Sequence, residues 1–396
     1  MSALNLLDNT IPRRGLRPQE EGPPNLVAMT PGELRAFVEK LGEKPFRAQQ
    51  LTRWIHKRGA KSFDVMTDLS GALREKLKGA ARLSRLELAE VQVAADGTRK
   101  YRMRTWDGNL IESVFIPFAS SPDRNTLCIS SQVGCAMGCT FCATGAMGLE
   151  RHLTAGEIVD QINRVWDDLG ATGGGFVPDP DAPREGMGRR VITNLVFMGM
   201  GEPLHNLDTV LKAVEILTDD DAHQFSPRRI TVSTSGLVPQ MKRLMSESEV
   251  QLAVSLSGTT DPQRQSIMPV NKKYPLETLL GACRDIPLKA RRRITLEYVL
   301  LDGINDADDD ARRLGPLLRG LKCKVNLIPF NEHPLSPFRR PPRERTLRFQ
   351  QLLRDQGLNA LIREARGDDI DAACGMLGGR TLEARRHADG GAPVSP

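Results

Sequence analysis

The chain of 396 residues contains no apolar run that approaches the roughly 18 residues needed to span a membrane. Its N-terminal sequence has no apolar core followed by a small-residue cleavage site, and therefore predicts no secretory signal. It also shows no internal repeat. Hydrophobic residues make up 40% and charged residues 26%, as in soluble globular proteins. We therefore expect a cytoplasmic, monomeric protein that does not bind a membrane.

Cysteine is scarce and unevenly placed. The chain has seven cysteines, and four of them fall between positions 128 and 142. A secreted disulfide framework usually spreads its cysteines, so this bunching favours a metal site or catalysis. The excess of basic residues is moderate, with a net charge of +6 and an isoelectric point near 9.0. Alone, that charge is a weak indication of a nucleic-acid partner.

Composition and periodicity divide the chain into five segments. They are a flexible tail (1–24), an N-terminal helical domain (25–84), an antiparallel β-meander that acts as a linker (85–120), a large core (121–380) and a disordered tail (381–396). In the helical domain, Thr30 and Glu33 form a capping box, and Ser70 can cap a later helix. Two Asp-Gly turns, at 96–97 and 107–108, separate the three strands of the meander.

In the core, β-rich runs alternate with helical patterns. The candidate strands are 126–131, 194–199, 229–235, 251–257, 294–301, 324–330 and 360–366. The candidate helices are 154–169, 207–218, 275–286, 306–319 and 344–356. We interpret the segment 172–190 as a surface loop. Repeated β-α units imply a parallel sheet or barrel whose functional groups lie at the carboxyl ends of the strands.

The segment CISSQVGCAMGCTFC places Cys135, Cys139 and Cys142 in a C-x3-C-x2-C spacing. A structural zinc ion usually takes four ligands, often as two C-x2-C pairs, and this segment has no second pair and no histidine between its cysteines. Three soft thiolates suit a [4Fe-4S] cluster and leave one iron open to a small molecule. The alternatives are a three-cysteine zinc site and buried free thiols.

Polar residues and glycines follow several candidate strands. Gly201 and Glu202 lie in MGMGEPLHN, where glycine permits close backbone approach and the carboxylate can bind an ammonium group. STSG (233–236), SLS (255–257) and Asn331 end three later strands. Each alone is usually a turn or cap residue, but together on one rim they favour a binding site.

Two further cysteines lie outside the C-x3-C-x2-C spacing. Cys128 is on the first candidate strand, and Cys374 follows the last one, in GDDIDAACGML. Both are therefore expected near the barrel mouth, where two thiols can act as nucleophile and resolver. Simple packing is the alternative for Cys374, and it is our interpretation of Cys283 and Cys323.

The three-cysteine spacing, with an aromatic residue before its last cysteine, resembles the radical S-adenosylmethionine (SAM) superfamily. The motifs DRNTLCISSQVGCAMGCTFCATG, GMGEPLHN, VSTSG, AVSLS, NKKYPLE, VNLIPFN and DIDAACGML further resemble its RlmN family, in family order, between residues 25 and 380. This resemblance implies an α/β fold, with a partial (β/α)6 TIM-like radical SAM barrel, a small N-terminal helical domain and the β-meander. It also implies an enzyme that methylates C2 of adenosine in 23S ribosomal RNA and transfer RNA.

The resemblance also implies the roles of individual residues. Cys135, Cys139 and Cys142 would hold the [4Fe-4S] cluster, and SAM would bind its open iron. The further SAM contacts would be Gly201, Glu202, Ser233, Ser255, Leu256, Ser257 and Asn331. Relatives usually carry histidine in place of Ser257, so a backbone contact is expected there.

In the family mechanism, Cys374 first takes a methyl group from one SAM molecule. A radical from a second SAM removes hydrogen from that methyl group, and the resulting methylene radical adds to the adenine. Glu112 would accept the C2 proton, and Cys128 would close a disulfide with Cys374 to release the product. Without the family, Glu112 would be interpreted as a solvated strand residue.

Basic clusters recur along the chain, and their number fits a surface that contacts phosphates. The run Trp54–Arg58 resembles the RNA-binding extension of the family. The expected partners are 23S ribosomal RNA, transfer RNA and a reductant such as flavodoxin. Three alternatives stay open: adenine-C8 methylation, as in the related Cfr enzymes; an electron-transfer or sensor protein with an iron–sulfur cluster; and a non-catalytic RNA-binding protein that holds a cluster or zinc.

Overall fold

The computed structural model describes residues 22–118, 124–171, 175–178 and 188–379. The predicted tails therefore lie outside the described residues, apart from residues 22–24. No helix within these ranges is both long enough and apolar enough to cross a bilayer.

The N-terminal region is helical, as predicted. Its helices are α1 (Pro31–Lys40), α2 (Phe46–Thr52), which continues into a π-helical turn (Arg53–Lys57), and α3 (Gly71–Ala80). The capping box at α1 is confirmed, because the Glu33 amide donates to the Thr30 hydroxyl (3.2 Å) and the Thr30 amide donates to the Glu33 carboxylate (2.9 Å). Ser70 caps α3 through the Leu73 amide.

The core is built from short strands and amphipathic helices. The strands are β1 (Glu87–Val93), β2 (Arg99–Arg104), β3 (Leu110–Ile116), β4 (Thr126–Cys128), β5 (Gln132–Gly134), β6 (Leu149–His152), β7 (Phe176–Pro178), β8 (Gly188–Arg190), β9 (Asn194–Phe197), β10 (Ile230–Thr234), β11 (Gln251–Ser255), β12 (Ile294–Leu300), β13 (Cys323–Pro329) and β14 (Ala360–Ile362). The helices are α4 (Ala143–Met147), α5 (Ala155–Asp168), α6 (Leu207–Thr218), α7 (Val238–Glu247), α8 (Asp261–Ile267), α9 (Leu276–Asp285), α10 (Asp308–Leu317) and α11 (Arg343–Asp355).

One ten-stranded sheet runs in the order β1-β2-β3-β4-β9-β10-β11-β12-β13-β14. From β4 to β14 all neighbouring strands are parallel, so the predicted parallel α/β architecture is confirmed. All seven candidate strands of the core are present. The last of them, β14, adds a seventh parallel strand of three residues to the six that the resemblance implies.

The meander is part of this sheet, because β3 pairs with β4 in an antiparallel ladder. In that ladder Val114 lies opposite Cys128, the last residue of β4. The N-terminal half of β3 therefore extends past the carboxyl end of β4, toward the mouth of the barrel. Glu112 lies in this extension.

Three helices (α4, α7 and α8) and two hairpins (β5–β6 and β7–β8) were not anticipated by the sequence patterns. Helices α7 and α8 each fill a β-α connection, and α8 has few apolar residues to mark it. In the predicted surface loop 172–190, strands β7 and β8 pair as a short antiparallel hairpin; residues 172–174 and 179–187 of that loop lie outside the described residues.

Candidate active site

A cavity of about 170 Å³ opens at the carboxyl ends of the parallel strands. Its wall combines the C-x3-C-x2-C cysteines with polar groups from the strand ends and with Cys374. The predicted site residues that line it are Cys135, Cys139, Cys142, Gly201, Glu202, Ser233, Ser255, Asn331 and Cys374. Residues separated by up to 239 positions in sequence thus meet at one mouth, as parallel β-α folds require.

The loop that carries the three cysteines is held by the β5–β6 hairpin at its base. The Cys135 amide donates to the Gly148 carbonyl at 2.8 Å. Gly134 has φ +73°, and a Cβ there would lie 1.9 Å from the Gly148 carbonyl oxygen. Only glycine fits this position, so the approach of the two hairpin strands depends on it.

Further hydrogen bonds tie the cysteine loop to the segment around Cys374. The Ala143 amide donates to the Gly375 carbonyl at 2.8 Å, and the Thr144 hydroxyl donates to the Leu377 carbonyl at 2.7 Å. These bonds fix Cys374 relative to the three-cysteine loop across more than 230 residues of sequence.

The thiols of Cys135, Cys139 and Cys142 are half-buried in this wall. Desolvation raises the pKa of all three, that of Cys139 to about 12. Thiolates in such surroundings need a nearby cation, which a bound metal centre provides.

The donor set fits an iron–sulfur cluster better than a single metal ion. Among the described residues, no three His, Cys, Asp or Glu side chains converge closely enough to hold one ion. A [4Fe-4S] cluster binds each thiolate at a different iron, so its ligands stand further apart. Three soft thiolates around one cavity satisfy that requirement.

The loop after β9 is packed tightly against the segment after β4. Gly201 has φ +99°, and a Cβ on it would lie 2.5 Å from the Gln132 side chain. The side-chain oxygen Oε1 of Gln132 in turn accepts a hydrogen bond of 2.7 Å from the Glu202 backbone amide. Gln132 is a buried contact of this loop that the sequence patterns did not identify.

Glu202 is buried and connects two strand ends. Its carboxylate accepts hydrogen bonds from the Ser235 amide (2.7 Å) and the Leu204 amide (3.0 Å). Burial raises the pKa of Glu202, and these two backbone donors oppose that rise. Glu202 therefore fixes the rim as well as presenting a carboxylate to the cavity.

Leu256 and Ser257 do not line the cavity, although they follow Ser255 directly. The Ser257 hydroxyl accepts from the Val299 amide at 3.1 Å, and its carbonyl accepts from the Asn305 side chain at 2.9 Å. Ser257 also has φ +46°, an unusual conformation for a residue with a side chain. Its polar atoms hold adjoining loops, and its predicted SAM contact stays a prediction.

Arg264 is a fully buried cation that the motif search missed. Its guanidinium donates to the carbonyls of Ser235 (2.6 Å), Ser255 (3.1 Å) and Leu256 (3.0 Å). Desolvation lowers the pKa of Arg264 to about 10, which still leaves it charged at neutral pH. It therefore holds together the ends of β10 and β11. No motif marks an arginine in a short helix for this function.

Cys374 and Cys128 lie near each other, as predicted. Cys374 is an exposed residue that lines the cavity, whereas Cys128 is buried and does not line it. Burial and the neighbouring Cys374 both raise the pKa of Cys128. Desolvation also raises the pKa of Cys374, and the Arg363 guanidinium opposes that rise. Arg363, on the segment after β14, is a second cation that the motifs did not reveal.

Glu112 is buried, which excludes the solvated-strand interpretation. One of its carboxylate oxygens accepts a hydrogen bond of 3.0 Å from the Gly378 amide. The other lies 3.9 Å from the Arg102 guanidinium. Glu112 thus contacts the segment that carries Cys374, although it does not line the cavity itself.

Glu297 is a further buried carboxylate at the cavity wall. One oxygen accepts from the Asn326 amide group at 3.0 Å, and the other has no hydrogen-bond partner among the described residues. Burial raises the pKa of Glu297. Its position in the middle of a buried strand made it indistinguishable from a core residue in the sequence.

All seven cysteines are free thiols in the structure. The structure therefore does not support the disulfide that the family resemblance implies between Cys128 and Cys374.

Comparison with known proteins bears on this arrangement. The family model "Ribosomal RNA large subunit methyltransferase N-terminal domain" matches residues 24–83, and the "Radical SAM superfamily" model matches residues 129–314. The chain is 52% identical over 354 residues to the dual-specificity RNA methyltransferase RlmN of Anaeromyxobacter dehalogenans, covering 89% of this chain and 91% of that protein. The chain belongs to the RlmN family.

Other relatives agree. The dual-specificity RNA methyltransferase RlmN of Geobacter sulfurreducens is 49% identical over 362 residues, which cover 91% of this chain and 94% of that RlmN. A crystal structure of a radical SAM methyltransferase from Sphaerobacter thermophilus superposes with a TM-score of 0.80 at 44% identity. The superposition covers 90% of this chain and 99% of the Sphaerobacter thermophilus chain. The radical SAM fold expected for this RlmN-family chain is thereby confirmed.

Proposed function

We propose that this protein is a SAM-dependent RNA methyltransferase that methylates C2 of adenosine in 23S ribosomal RNA and in transfer RNA. The observation that carries the proposal is that Cys374 shares one cavity with Cys135, Cys139 and Cys142. A second thiol, Cys128, lies close enough that Cys374 contributes to raising the pKa of Cys128. An electron-transfer or zinc-stabilised protein has no need for such a thiol pair beside the cysteine loop.

In this proposal Cys135, Cys139 and Cys142 hold a [4Fe-4S] cluster. The cluster, with SAM bound, supplies a carbon-centred radical, which the chemistry requires because an aromatic C–H carbon is a poor nucleophile. Gly201, through its close backbone approach, and Glu202, through its carboxylate, bind the amino-acid part of SAM. The remaining SAM contacts that line the cavity are Ser233, Ser255 and Asn331; Leu256 and Ser257 follow Ser255 but do not line it.

Cys374 is the residue that carries the methyl group to RNA. It lines the cavity, and the nearby Arg363 guanidinium favours the thiolate form that accepts a methyl group by displacement. The hydrogen bond from Asn331 to the Cys374 carbonyl and those from the cysteine loop restrict where this thiol can reach.

Glu112 accepts the proton from C2 after the adenine is attached to Cys374, and the adduct would return its unpaired electron to the bound cluster. Its contact with the Gly378 amide places it beside the segment that bears Cys374, and one oxygen is free of hydrogen bonds among the described residues. Cys128 then attacks the Cys374 sulfur, which forms the disulfide and breaks the bond from that sulfur to the methylene carbon; this carbon takes up a proton and leaves as the methyl group of the base. The disulfide so formed is transient and must be reduced before the next turnover.

The RNA must present its adenine as an unstacked base, because C2 is not reachable inside a stack. The N-terminal helices offer basic and aromatic groups for this, such as Arg58, whose guanidinium lies 4.2 Å from the Trp54 ring. Cleavage of SAM needs one electron to start, and reduction of the disulfide needs two, so the proposal includes a reductant such as flavodoxin.

Mass analysis of ribosomal and transfer RNA from a strain that lacks the gene tests the proposal. We expect 2-methyladenosine to disappear from both RNA classes and to return with the intact gene, but not with a Cys374→Ala variant. Loss of 8-methyladenosine would instead assign the C8 reaction. Unchanged RNA would contradict the proposed activity.

A further inference from the structure

The turn between β2 and β3 overhangs the mouth of the barrel. Its register pairs Arg102 with Glu112 and Arg104 with Leu110, so the turn at 105–109 lies beyond Glu112. Because a strand rises about 3.4 Å per residue, the tip stands on the order of 10 Å further out than Glu112. The tip is therefore beside the path by which a large substrate reaches the cavity.

The tip is held in place by an ion-pair network centred on the buried Arg151. Arg151, at the end of β6, donates to both carboxylate oxygens of Asp107, at 2.6 and 2.8 Å. The same guanidinium donates to both oxygens of Glu157, at 2.8 and 2.9 Å. Bidentate pairs of this kind fix orientation as well as distance. Through Arg151 the turn is attached to the β5–β6 hairpin, and through Glu157 that arginine is attached to α5.

Trp106 projects from this fixed turn into solvent, with 48% of its surface exposed. The Arg151 guanidinium lies 5.7 Å from the centre of its ring. The other two tryptophans differ, since the Trp54 indole donates to Asp68 and Trp166 is 5% exposed. Core packing explains Trp166, but it does not explain a large exposed ring on a turn that two charge-assisted hydrogen bonds attach to Arg151.

An exposed, pre-oriented indole is suited to stacking on a nucleobase. Stacking on aromatic side chains is the usual way in which proteins hold unpaired bases, and it tolerates any base because each has a π-face. Two arginines also lie near the tip, Arg151 and Arg104, and each is paired with at least one carboxylate. The half-exposed Arg104 lies 3.3 Å from Glu87 and 3.5 Å from the Gly108 carbonyl, at the edge of the same tip.

We propose that Trp106 is an RNA contact that stacks on an unpaired nucleobase near the target adenosine and so holds the strand at the mouth. This inference rests on the proposed function. The distance of the tip from Glu112 assigns Trp106 to a neighbouring nucleotide and not to the adenosine that is methylated.

The test compares steady-state RNA methylation by the reconstituted full chain with that of Trp106→Ala and Trp106→Phe. The RNA is a hairpin with the target adenosine in its loop. We expect Trp106→Ala to raise the KM for RNA by about 5- to 100-fold, with kcat and RNA-independent SAM cleavage unchanged. Trp106→Phe should raise the KM for RNA less than Trp106→Ala does. A matched control is Val93→Ala, which trims a 56% exposed apolar side chain at the opposite end of the meander and should leave KM unchanged.

Tryptophan fluorescence provides a second measurement. RNA should quench the emission of the wild-type protein, and most of that quenching should be absent in Trp106→Phe. An unchanged KM and equal quenching in the variants, beside a wild-type enzyme that methylates the RNA, would overturn the inference alone. A variant that binds RNA normally but responds poorly to a protein reductant would also overturn it, in favour of a protein-docking tip. A wild-type enzyme that methylates no RNA would overturn the proposed function instead.

Discussion

The side-chain amide of Asn331 donates a hydrogen bond of 3.0 Å to the backbone carbonyl of Cys374. The other polar atom of this amide, Oδ1, is buried with no partner among the described residues, and Asn331 lines the cavity. Asn331, which follows β13, thus restrains the segment that bears Cys374 through its side-chain NH2 group and leaves its side-chain oxygen for a ligand.

Replacing Asn331 with Ala should slow methylation of Cys374. We expect a loss of about 10- to 100-fold, because small displacements of a nucleophile have effects of that order. Single-turnover assays with SAM, followed by mass analysis of the peptide that contains Cys374, measure it. Asn359→Ala, at an exposed position, is the control and should behave as wild type. Equal rates of Cys374 methylation in the two variants would show that Asn331 does not position Cys374.

Gly134→Ala should reduce incorporation of the cluster without unfolding the chain. A Cβ at this position would lie 1.9 Å from the Gly148 carbonyl oxygen, so the β5–β6 hairpin must open at the base of the cysteine loop. Iron and sulfide analysis after anaerobic reconstitution checks this, with far fewer than four irons per chain expected. In the control Gly281→Ala, the new methyl group meets no atom within 4 Å. Full iron content in Gly134→Ala would show that the hairpin geometry is not needed.

The stability of the protein should fall in mild acid because of a buried imidazole. His56 is buried beside His223, with ring centroids 5.0 Å apart, and burial together with Arg85 lowers its pKa from 6.5 to about 3. Below pH 6.5 the unfolded chain binds a proton at His56 that the folded chain does not, so the free energy of unfolding decreases.

We expect His56 to account for roughly 2 kcal/mol of this decrease between pH 7.5 and pH 5. Urea unfolding at the two pH values checks the prediction. His56→Phe should show a correspondingly smaller loss, whereas His333→Gln, at a half-buried position, should keep the wild-type loss. The same pH dependence in His56→Phe and wild type would refute the assignment.

The sequence predicted those parts of the fold and the site that short-range patterns mark. Period-2 and helical patterns identified every parallel strand of the core and five of its helices. The spacing of Cys135, Cys139 and Cys142 identified the cysteine loop. Strand-end positions identified Ser233, Ser255 and Asn331, because parallel strands bring their carboxyl ends to one edge.

The groups that sequence reasoning missed depend on contacts between distant segments. Arg264 lies in a short helix with no unusual pattern, and only the folded chain shows that its guanidinium joins three backbone carbonyls. Glu297 and Arg363 likewise become site residues only when the sheet brings them to Cys374. Ser257 is the opposite case. It lies in a motif that predicts a site residue, but its hydroxyl and carbonyl accept hydrogen bonds from neighbouring segments.

In the proposed methylation reaction, Cys374 carries the methyl group and Cys128 releases the product. The most direct measurement uses the Cys128→Ala enzyme, reconstituted with iron and sulfide without oxygen, supplied with SAM, reductant and the RNA hairpin, and then digested for mass analysis. With RNA present, we expect a peptide in which Cys374 is joined to the RNA adenine through one methylene carbon. When RNA is omitted, we expect a methyl group on Cys374. An unmodified Cys374 in both samples, from an enzyme that still cleaves SAM, would contradict it.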